Sequence, residues 1–173
     1  MDLKKIIRII PNFPKEGIQY RDITTLLIDP VALAYAVDLL AKPYYGRSID
    51  KIAGIESRGF IFGVLLAQKL NKPFVPIRKK GKLPAATESQ DYELEYGTDT
   101  IEIHKDAINT GDQVLIIDDL MATGGTMKAA VSLVEKMGGA IHGISCVIDL
   151  PEVGGSKKLE GYNTNFLMTF DGD

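Results

Sequence analysis

Two patterns of apolar residues alternate along the chain. Short uninterrupted runs, of which Val114 to Ile117 is the clearest, are followed by longer stretches in which apolar residues recur every three or four positions. The first pattern is typical of strands buried on both faces, and the second is typical of helices that cover a sheet. Their alternation predicts an α/β fold with a mostly parallel central sheet flanked by helices.

Turn and capping residues set approximate bounds for these elements. One helix is expected to begin at Pro30, with Asp29 as its cap, and to end before Pro43. Its apolar face is predicted to consist of Leu33, Ala34, Val37 and Leu40. The other predicted helices cover residues 3–10, 60–70 and 126–137, and the predicted strands cover residues 51–55, 74–77, 113–118, 141–148 and 165–170.

Residues 78–104 depart from this alternation. The stretch 78–90 contains one arginine and three lysines but few large apolar side chains, so an exposed and mobile loop is expected there. Residues 92–96 and 100–104 alternate in character around Gly97, which favours a hairpin.

Length and composition narrow the class of protein. The chain has 173 residues, of which 45% are hydrophobic and 25% charged, as expected for one globular domain covering residues 1–173. The net charge of −3 argues against broad binding to nucleic acid. Charges interrupt the apolar residues between Met1 and Arg8, so we expect a cytoplasmic protein without a membrane span. The single cysteine, Cys146, lies in an apolar run and is predicted to be a buried structural thiol.

The segment 114–126, VLIIDDLMATGGT, carries the strongest chemical signal. A buried strand ends in two acids, and a turn of small residues leads into a helix. The first amides of that helix have no internal partners and lie at the positive end of its dipole, so they suit a phosphate group. Gly124 and Gly125 permit close approach of a ligand, and Thr123 and Thr126 add hydroxyl groups. Adjacent carboxylates at a strand end suit a ribose diol or hydrated Mg²⁺.

Simpler and competing interpretations explain this segment less completely. An aspartate that only caps the helix and glycines that only form a turn would explain a lone Thr-Gly-Gly, but not the whole arrangement. A nucleoside triphosphatase would need a Gly-Lys-Ser/Thr ending, and a dinucleotide enzyme would need Gly-x-Gly-x-x-Gly after a strand. Neither motif occurs, so a different nucleotide-like ligand is required.

These residues resemble the signature of the type I phosphoribosyltransferases, an apolar strand, two acids and a Thr-Gly-Gly-Thr turn. The resemblance implies that fold, with a mobile hairpin loop and a small hood. It also implies that Asp118 and Asp119 bind the ribose hydroxyls, and that the residues binding the 5′-phosphate are Ala122, Thr123, Gly124, Gly125 and Thr126.

Further segments resemble the adenine-specific members of that family nearly from end to end. They are Phe13-Pro14 with Gly17, then residues 20–23, 56–60, 78–84 and 94–97. The resemblance implies that the main chain at Gln19 and Arg21 binds adenine while Tyr20 packs on its ring. Considered singly, Tyr20 would be an ordinary core aromatic and Arg21 a surface charge.

The remaining functional assignments also follow from the resemblance. Ser57, Arg58 and Gly59 are expected to receive pyrophosphate, with Arg58 assisting catalysis. The resemblance also implies a homodimer in which basic residues reach the pyrophosphate of the neighbouring subunit. These residues are Arg78, Lys79 and Lys82. Glu95 handles the purine proton and Tyr96 follows it in the same loop. Without the resemblance, all of these would pass as ordinary loop residues.

The implied activity is the formation of AMP and pyrophosphate from adenine and 5-phosphoribosyl 1-pyrophosphate, a purine-salvage reaction. Mg²⁺ would be held mainly by substrate and water near Asp118 and Asp119, with no direct protein ligand. One alternative is a 6-oxopurine phosphoribosyltransferase, although those enzymes usually have an aspartate where this chain has Ala122. The other is a non-catalytic regulator that senses phosphoribosyl pyrophosphate.

Overall fold

A computed structural model describes residues 1–93 and 97–171 of the chain. The strands are β1 (Arg8–Pro11), β2 (Gln19–Asp22), β3 (Lys51–Ile55), β4 (Phe74–Lys79), β5 (Thr87–Glu93), β6 (Thr98–His104), β7 (Gln113–Met121), β8 (Ala140–Asp149) and β9 (Thr164–Thr169). The α-helices are α1 (Thr24–Leu27), α2 (Pro30–Ala41), α3 (Gly59–Leu70) and α4 (Gly125–Lys136). Single 3₁₀ turns occur at Leu3–Lys5, Lys42–Tyr44, Pro151–Val153 and Ser156–Leu159.

Seven strands form the central sheet in the order β5-β6-β4-β3-β7-β8-β9. The pairs from β4 through β3, β7 and β8 to β9 are parallel, whereas β6 pairs antiparallel with both β4 and β5. The sheet is therefore mostly parallel with helices on both faces, which confirms the predicted fold class.

Strand β7 lies in the middle of this sheet and contributes to both of its faces. Leu115 and Ile117 pack in the cluster that contains α2 and α3, while Val114 and Ile116 pack in the cluster that contains α4. All four side chains are buried. A strand covered on both faces needs apolar residues at every position, which explains the uninterrupted run in the sequence.

Helix α2 begins as predicted, but only part of its predicted face is buried. Asp29 accepts hydrogen bonds from the amides of Val31 and Ala32, both at 3.0 Å, and Pro30 takes the first helical position. Val37 and Leu40 are buried as predicted, whereas Leu33 is half-buried and Ala34 is exposed. The other buried positions are Ala32, Ala36 and Ala41. Small alanines on this face let α2 pack closely against its neighbours, which the size-weighted pattern in the sequence does not reveal.

The helix predicted over residues 3–10 is wrong. A single 3₁₀ turn at Leu3–Lys5 is followed by β1, which pairs antiparallel with β2 in a separate two-stranded sheet. Arg8 reaches across this pair and donates to Asp22 from Nε at 2.9 Å and from Nη2 at 2.5 Å. These bonds and those from Thr24 lower the pKa of Asp22 to about 2. Pairing with the next strand of the chain overrides the local helical spacing.

The loop predicted over residues 78–90 is wrong at both ends. Strand β4 continues to Lys79 because Arg78 and Lys79 pair with β6, and β5 already begins at Thr87. The predicted hairpin is confirmed, since β5 and β6 pair antiparallel from Thr87–His104 to Glu93–Thr98. Leu94, Glu95 and Tyr96 lie outside the described residues.

The single cysteine lies in the hydrophobic core. Cys146 is fully buried and unpaired, as predicted for a structural thiol, and its burial raises the pKa of the thiol. None of the helices in the described parts of the chain combines the length and the apolar character that a membrane crossing requires.

Candidate active site

The turn from β3 to α3 and the turn from β7 to α4 both lie at the carboxyl end of the sheet. Helix α3 starts at Gly59 directly against the end of β7. A Cβ atom at Gly59 would lie 2.9 Å from both the Asp118 Oδ1 atom and the Ile117 carbonyl oxygen, so only glycine allows this approach. The β3–α3 loop, residues 56–58, is thereby placed beside the two acids.

Asp118 and Asp119 lie within the last part of β7 rather than after it. Asp118 accepts a hydrogen bond from the Asp119 amide at 2.8 Å, and Asp119 is only 4% exposed. Burial raises the pKa of Asp118 well above its ordinary value, and the neighbouring Asp119 charge adds to the effect. Burial also raises the pKa of Asp119, although Arg58 opposes this shift. Asp118 itself is half-buried, so the pair is a partly accessible acceptor group that gains from a cation or from hydroxyl donors.

Arg58 connects three segments that are far apart in the sequence. Its Nε atom forms an ion pair with the Asp119 carboxylate at 2.7 Å, and its Nη1 atom donates a hydrogen bond to the Tyr20 hydroxyl oxygen at 2.6 Å. The guanidinium carbon also lies 5.9 Å from the centre of the Tyr20 ring. The side chain of Arg58 keeps 39% of its surface exposed. Base, pyrophosphate and ribose residues predicted separately therefore form one continuous site.

The turn between β7 and α4, residues 122–126, is named the phosphate loop here. Gly124 occupies the cap position of α4 with φ of 75°, a left-handed conformation that favours glycine. Glycine has no side chain that could cap the helix, and within residues 1–93 and 97–171 no other side chain caps its first turn. Amides at such a helix start suit an anionic ligand.

The base segment, residues 19–21, forms most of β2. Tyr20 is half-buried and packs edge to face with Phe13, with ring centres 5.1 Å apart. The Arg21 side chain donates to the carbonyl oxygens of Gln19 at 2.7 Å and Asp171 at 3.2 Å, and lies over the Phe170 ring. Arg21 is therefore buried rather than a surface charge, and its side chain ties β2 to the C-terminal segment.

The basic segment, residues 78–82, is held largely by contacts within its own chain. Arg78 donates to Glu56 from Nε at 3.1 Å and from Nη2 at 3.0 Å, and the Lys79 amide donates to the same carboxylate. These donors lower the pKa of Glu56. The Lys79 ammonium group contacts Asp99 and the Tyr92 hydroxyl, whereas Lys82 is exposed.

Ser57 and the two histidines lie in different parts of the fold. Ser57 is exposed and follows a cis peptide bond from Glu56. His104 accepts a hydrogen bond from the Ala85 amide at 3.4 Å, and His142 packs edge to face with Tyr44. Across residues 1–93 and 97–171, no three acidic, histidine or cysteine side chains cluster in a way that could hold a metal ion alone.

Comparison with known proteins agrees with this geometry. Residues 20–162 match the family described as "Phosphoribosyl transferase domain". An adenine phosphoribosyltransferase from Nitrosomonas eutropha is 60% identical over 173 residues, which cover 99% of each chain. This chain belongs to the adenine phosphoribosyltransferase family.

Solved structures of the adenine phosphoribosyltransferase family have the same fold. The enzyme from Thermoanaerobacter pseudethanolicus is 51% identical, covers 98% of both chains and superposes with a TM-score of 0.94. The enzyme from Saccharomyces cerevisiae, solved with adenine and an imino-altritol bisphosphate, is 39% identical with a TM-score of 0.91. That comparison covers 96% of this chain and 97% of the yeast chain.

One structural residue of the site was missed in the sequence. The Gly155 amide donates to the Ala122 carbonyl oxygen at 2.9 Å, so the loop after β8 braces the phosphate loop. A Cβ atom at Gly155 would lie 2.1 Å from that oxygen, and one at Gly124 would lie 2.7 Å from the Gly155 carbonyl oxygen. The Gly154-Gly155 pair after a predicted strand was the available signal.

Glu56 and Asp99 were also missed. Both are acids that hold residues of the basic segment, Glu56 through Arg78 and Asp99 through Lys79. No sequence motif signals this supporting role, because the basic partner of each acid lies on another strand. Only the pairing of strands in the sheet brings them into contact.

Proposed function

We propose that this protein transfers the 5-phosphoribosyl group of 5-phosphoribosyl 1-pyrophosphate to adenine, forming AMP and pyrophosphate. The full-length likeness to enzymes named adenine phosphoribosyltransferase supports this activity. The observation that carries it in the structure is the contact of Arg58 with both Tyr20 and Asp119. It unites a base segment, an anion-binding loop and a ribose-binding pair, which is what joining a base to a phosphorylated sugar requires.

The substrate parts can be assigned to the site from its chemistry. The 5′-phosphate takes the amides of the phosphate loop and the hydroxyls of Thr123 and Thr126. The ribose hydroxyls donate to Asp118 and Asp119, whose burial makes unpaired carboxylates costly. Adenine packs against Tyr20, and the main chain at Gln19 and Arg21 supplies hydrogen bonds. A 6-oxo base would leave buried polar groups unpaired there, which disfavours it.

Catalysis then rests on positioning and on stabilisation of charge. Pyrophosphate leaves the anomeric carbon before the base nitrogen is fully bonded, so positive charge develops on the ribose and negative charge on the leaving group. Arg58 and the amides near Ser57 and Gly59 stabilise the leaving group. The carboxylates of Asp118 and Asp119 hold the ribose in position.

A magnesium ion fits this arrangement through the substrate rather than through a protein cage. Asp118 and Asp119 are the acids beside the ribose position, and a hard cation held mainly by substrate oxygens and water needs no larger cluster. When bound, the ion would neutralise the departing pyrophosphate. Those two carboxylates would orient its water ligands.

In the same proposal, Glu95 handles the purine proton, and Tyr96 follows it in the sequence. The described end of β5 packs on the phosphate loop. A Cβ atom at Gly125 would lie 3.4 Å from the Glu93 carbonyl oxygen and 3.8 Å from the Tyr92 ring.

We also propose that the enzyme is a cytoplasmic homodimer whose single domain spans residues 1–173. Two large apolar side chains near the start of α3, Ile61 at 37% and Val64 at 50%, are exposed close to the β3–α3 loop. A second subunit would cover them. Lys82 is exposed and can reach outward to a neighbouring pyrophosphate, whereas Arg78 and Lys79 would support it through Glu56 and Asp99.

The deciding experiment measures pyrophosphate release and nucleotide formation with Mg²⁺ and phosphoribosyl pyrophosphate. Adenine, hypoxanthine, guanine and no base are compared. AMP formation with adenine alone is the expected result. Turnover with a 6-oxopurine instead would reassign the base pocket, and tight substrate binding without any turnover would indicate a regulator.

A further inference from the structure

The hydroxyl group of Tyr20 is not explained by packing on a base. An aromatic ring at this position needs no oxygen to stack, and a phenylalanine would present the same face. The oxygen nevertheless accepts a hydrogen bond of 2.6 Å from the Arg58 Nη1 atom. This contact joins a residue assigned to adenine with one assigned to pyrophosphate.

The geometry of Arg58 shows what this bond does. A guanidinium group has five N–H donors in a rigid plane. Asp119 forms an ion pair with the Nε atom at 2.7 Å, and the Tyr20 oxygen accepts a hydrogen bond from Nη1 at 2.6 Å. Two anchors on different atoms of the plane fix its orientation, whereas the Asp119 contact alone would let the group pivot.

The rest of the guanidinium remains available for a ligand. In the part of the chain that the structure describes, Asp119 and Tyr20 are the polar partners of Arg58, and 39% of the side chain is exposed. The Nη2 donors can therefore bind an anion without breaking either anchor. A group that is already oriented loses less conformational freedom on binding.

We propose that the Tyr20 hydroxyl is a positioning group for pyrophosphate, acting through Arg58, in addition to the role of its ring toward the base. This inference rests on the proposed function, which places pyrophosphate at Arg58. It assigns the two halves of one side chain to two different substrates. Loss of the hydroxyl should therefore weaken pyrophosphate and phosphoribosyl pyrophosphate while sparing adenine.

Steady-state kinetics of Tyr20→Phe in both reaction directions test this assignment. The KM values for phosphoribosyl pyrophosphate and for pyrophosphate are expected to rise about three- to tenfold, the effect of one lost hydrogen bond to a charged group at a half-exposed site. The KM for adenine should stay unchanged because the ring is kept. Tyr45→Phe is the matched control, since Tyr45 is exposed at a distant position after α2.

A second variant separates this effect from a general disturbance of the pocket. Lysine cannot hold two anchors in a plane, so Arg58→Lys should itself weaken pyrophosphate. Adding Tyr20→Phe to Arg58→Lys should then change the KM for pyrophosphate no further. Equal effects of Tyr20→Phe in both backgrounds would overturn the proposal.

Two other results would also overturn it. A rise in the adenine KM alone would show that Tyr20 acts only on the base. Unchanged KM values for all substrates would show that the hydroxyl has no role in substrate binding. Failure of the proposed function is distinguishable, because the unaltered enzyme would then form no AMP at all.

Discussion

The phosphate loop and the basic segment were both predicted to bind phosphate groups, yet they are built differently. The phosphate loop presents main-chain amides and small residues, held by the backbone of Gly155. The basic segment presents long cationic side chains, two of which are paired with acids of their own chain. A backbone site depends on local glycine geometry, whereas a side-chain site depends on which distant acids compete for its charges. The first can be predicted from a motif, and the second cannot.

The largest effect is expected where the backbone of the phosphate loop is disturbed. Gly155→Ala should lower kcat/KM for phosphoribosyl pyrophosphate by about 100-fold or more, because a Cβ atom 2.1 Å from the Ala122 carbonyl oxygen displaces the loop. Gly154→Ala is the matched control. Gly154 has a φ of 86°, which strains any side chain and should lower the midpoint of thermal unfolding, but a Cβ atom there meets nothing within 4 Å, so the kinetics should be largely kept. Equal kinetics of the two variants would contradict the bracing role.

The next effect concerns the hairpin that covers the phosphate loop. Glu95→Gln should lower kcat by about 100-fold, since proton transfer by a positioned group is lost. The affinity for phosphoribosyl pyrophosphate, measured by calorimetry, should persist. Glu93→Gln is the control, because Glu93 is an exposed acid at the end of β5 in the same hairpin. Normal turnover of Glu95→Gln would remove that residue from the mechanism.

The two ends of the basic segment should respond differently to substitution. Lys82→Ala should raise the KM for phosphoribosyl pyrophosphate about three- to tenfold without lowering the midpoint of thermal unfolding, because Lys82 is exposed. Arg78→Ala should lower that midpoint, because Glu56 loses its bidentate partner. If Arg78→Ala instead raised the KM and Lys82→Ala lowered the unfolding midpoint, Arg78 would bind substrate and Lys82 would support the fold.

A smaller effect follows from the raised pKa of Asp118. A carboxyl whose folded pKa exceeds its unfolded value loses stability as pH rises from the unfolded value through the folded one. Asp118→Asn should therefore stabilise the protein at pH 8, while the gain fades toward pH 4.

The activity of Asp118→Asn should fall, because a ribose acceptor is lost. Asp106→Asn, a change at an exposed aspartate, is the control for unfolding measurements across pH. A destabilised Asp118→Asn at pH 8 would mean that the folded protein favours the ionised carboxyl. Such a result would also remove the argument that burial makes this group costly.

Local patterns in the sequence were sufficient for the parallel sheet, its central strand and the start of α2. Val114 to Ile117 predicted a doubly covered strand because period and burial agree there. The same reasoning failed at residues 3–10, where β1 pairs with β2 instead of forming a helix. It also failed at Lys79 and Thr87, where antiparallel pairing turns a predicted loop into strand. Pairing between strands decides such elements, and the spacing of apolar residues along the chain does not reveal that pairing.

The sequence alone determined the family, because glycine, threonine and aspartate stand at adjacent positions of its signature. The binding of phosphate and ribose by these residues stays a prediction. Only the tertiary structure decided that Arg58 joins Tyr20 to Asp119, that Gly155 braces Ala122, and that Glu56 and Asp99 hold the basic segment. A hydrogen bond or ion pair extends only about 3–4 Å. Partners 38 positions apart in sequence, as Tyr20 and Arg58 are, come within that reach only when the sheet has assembled.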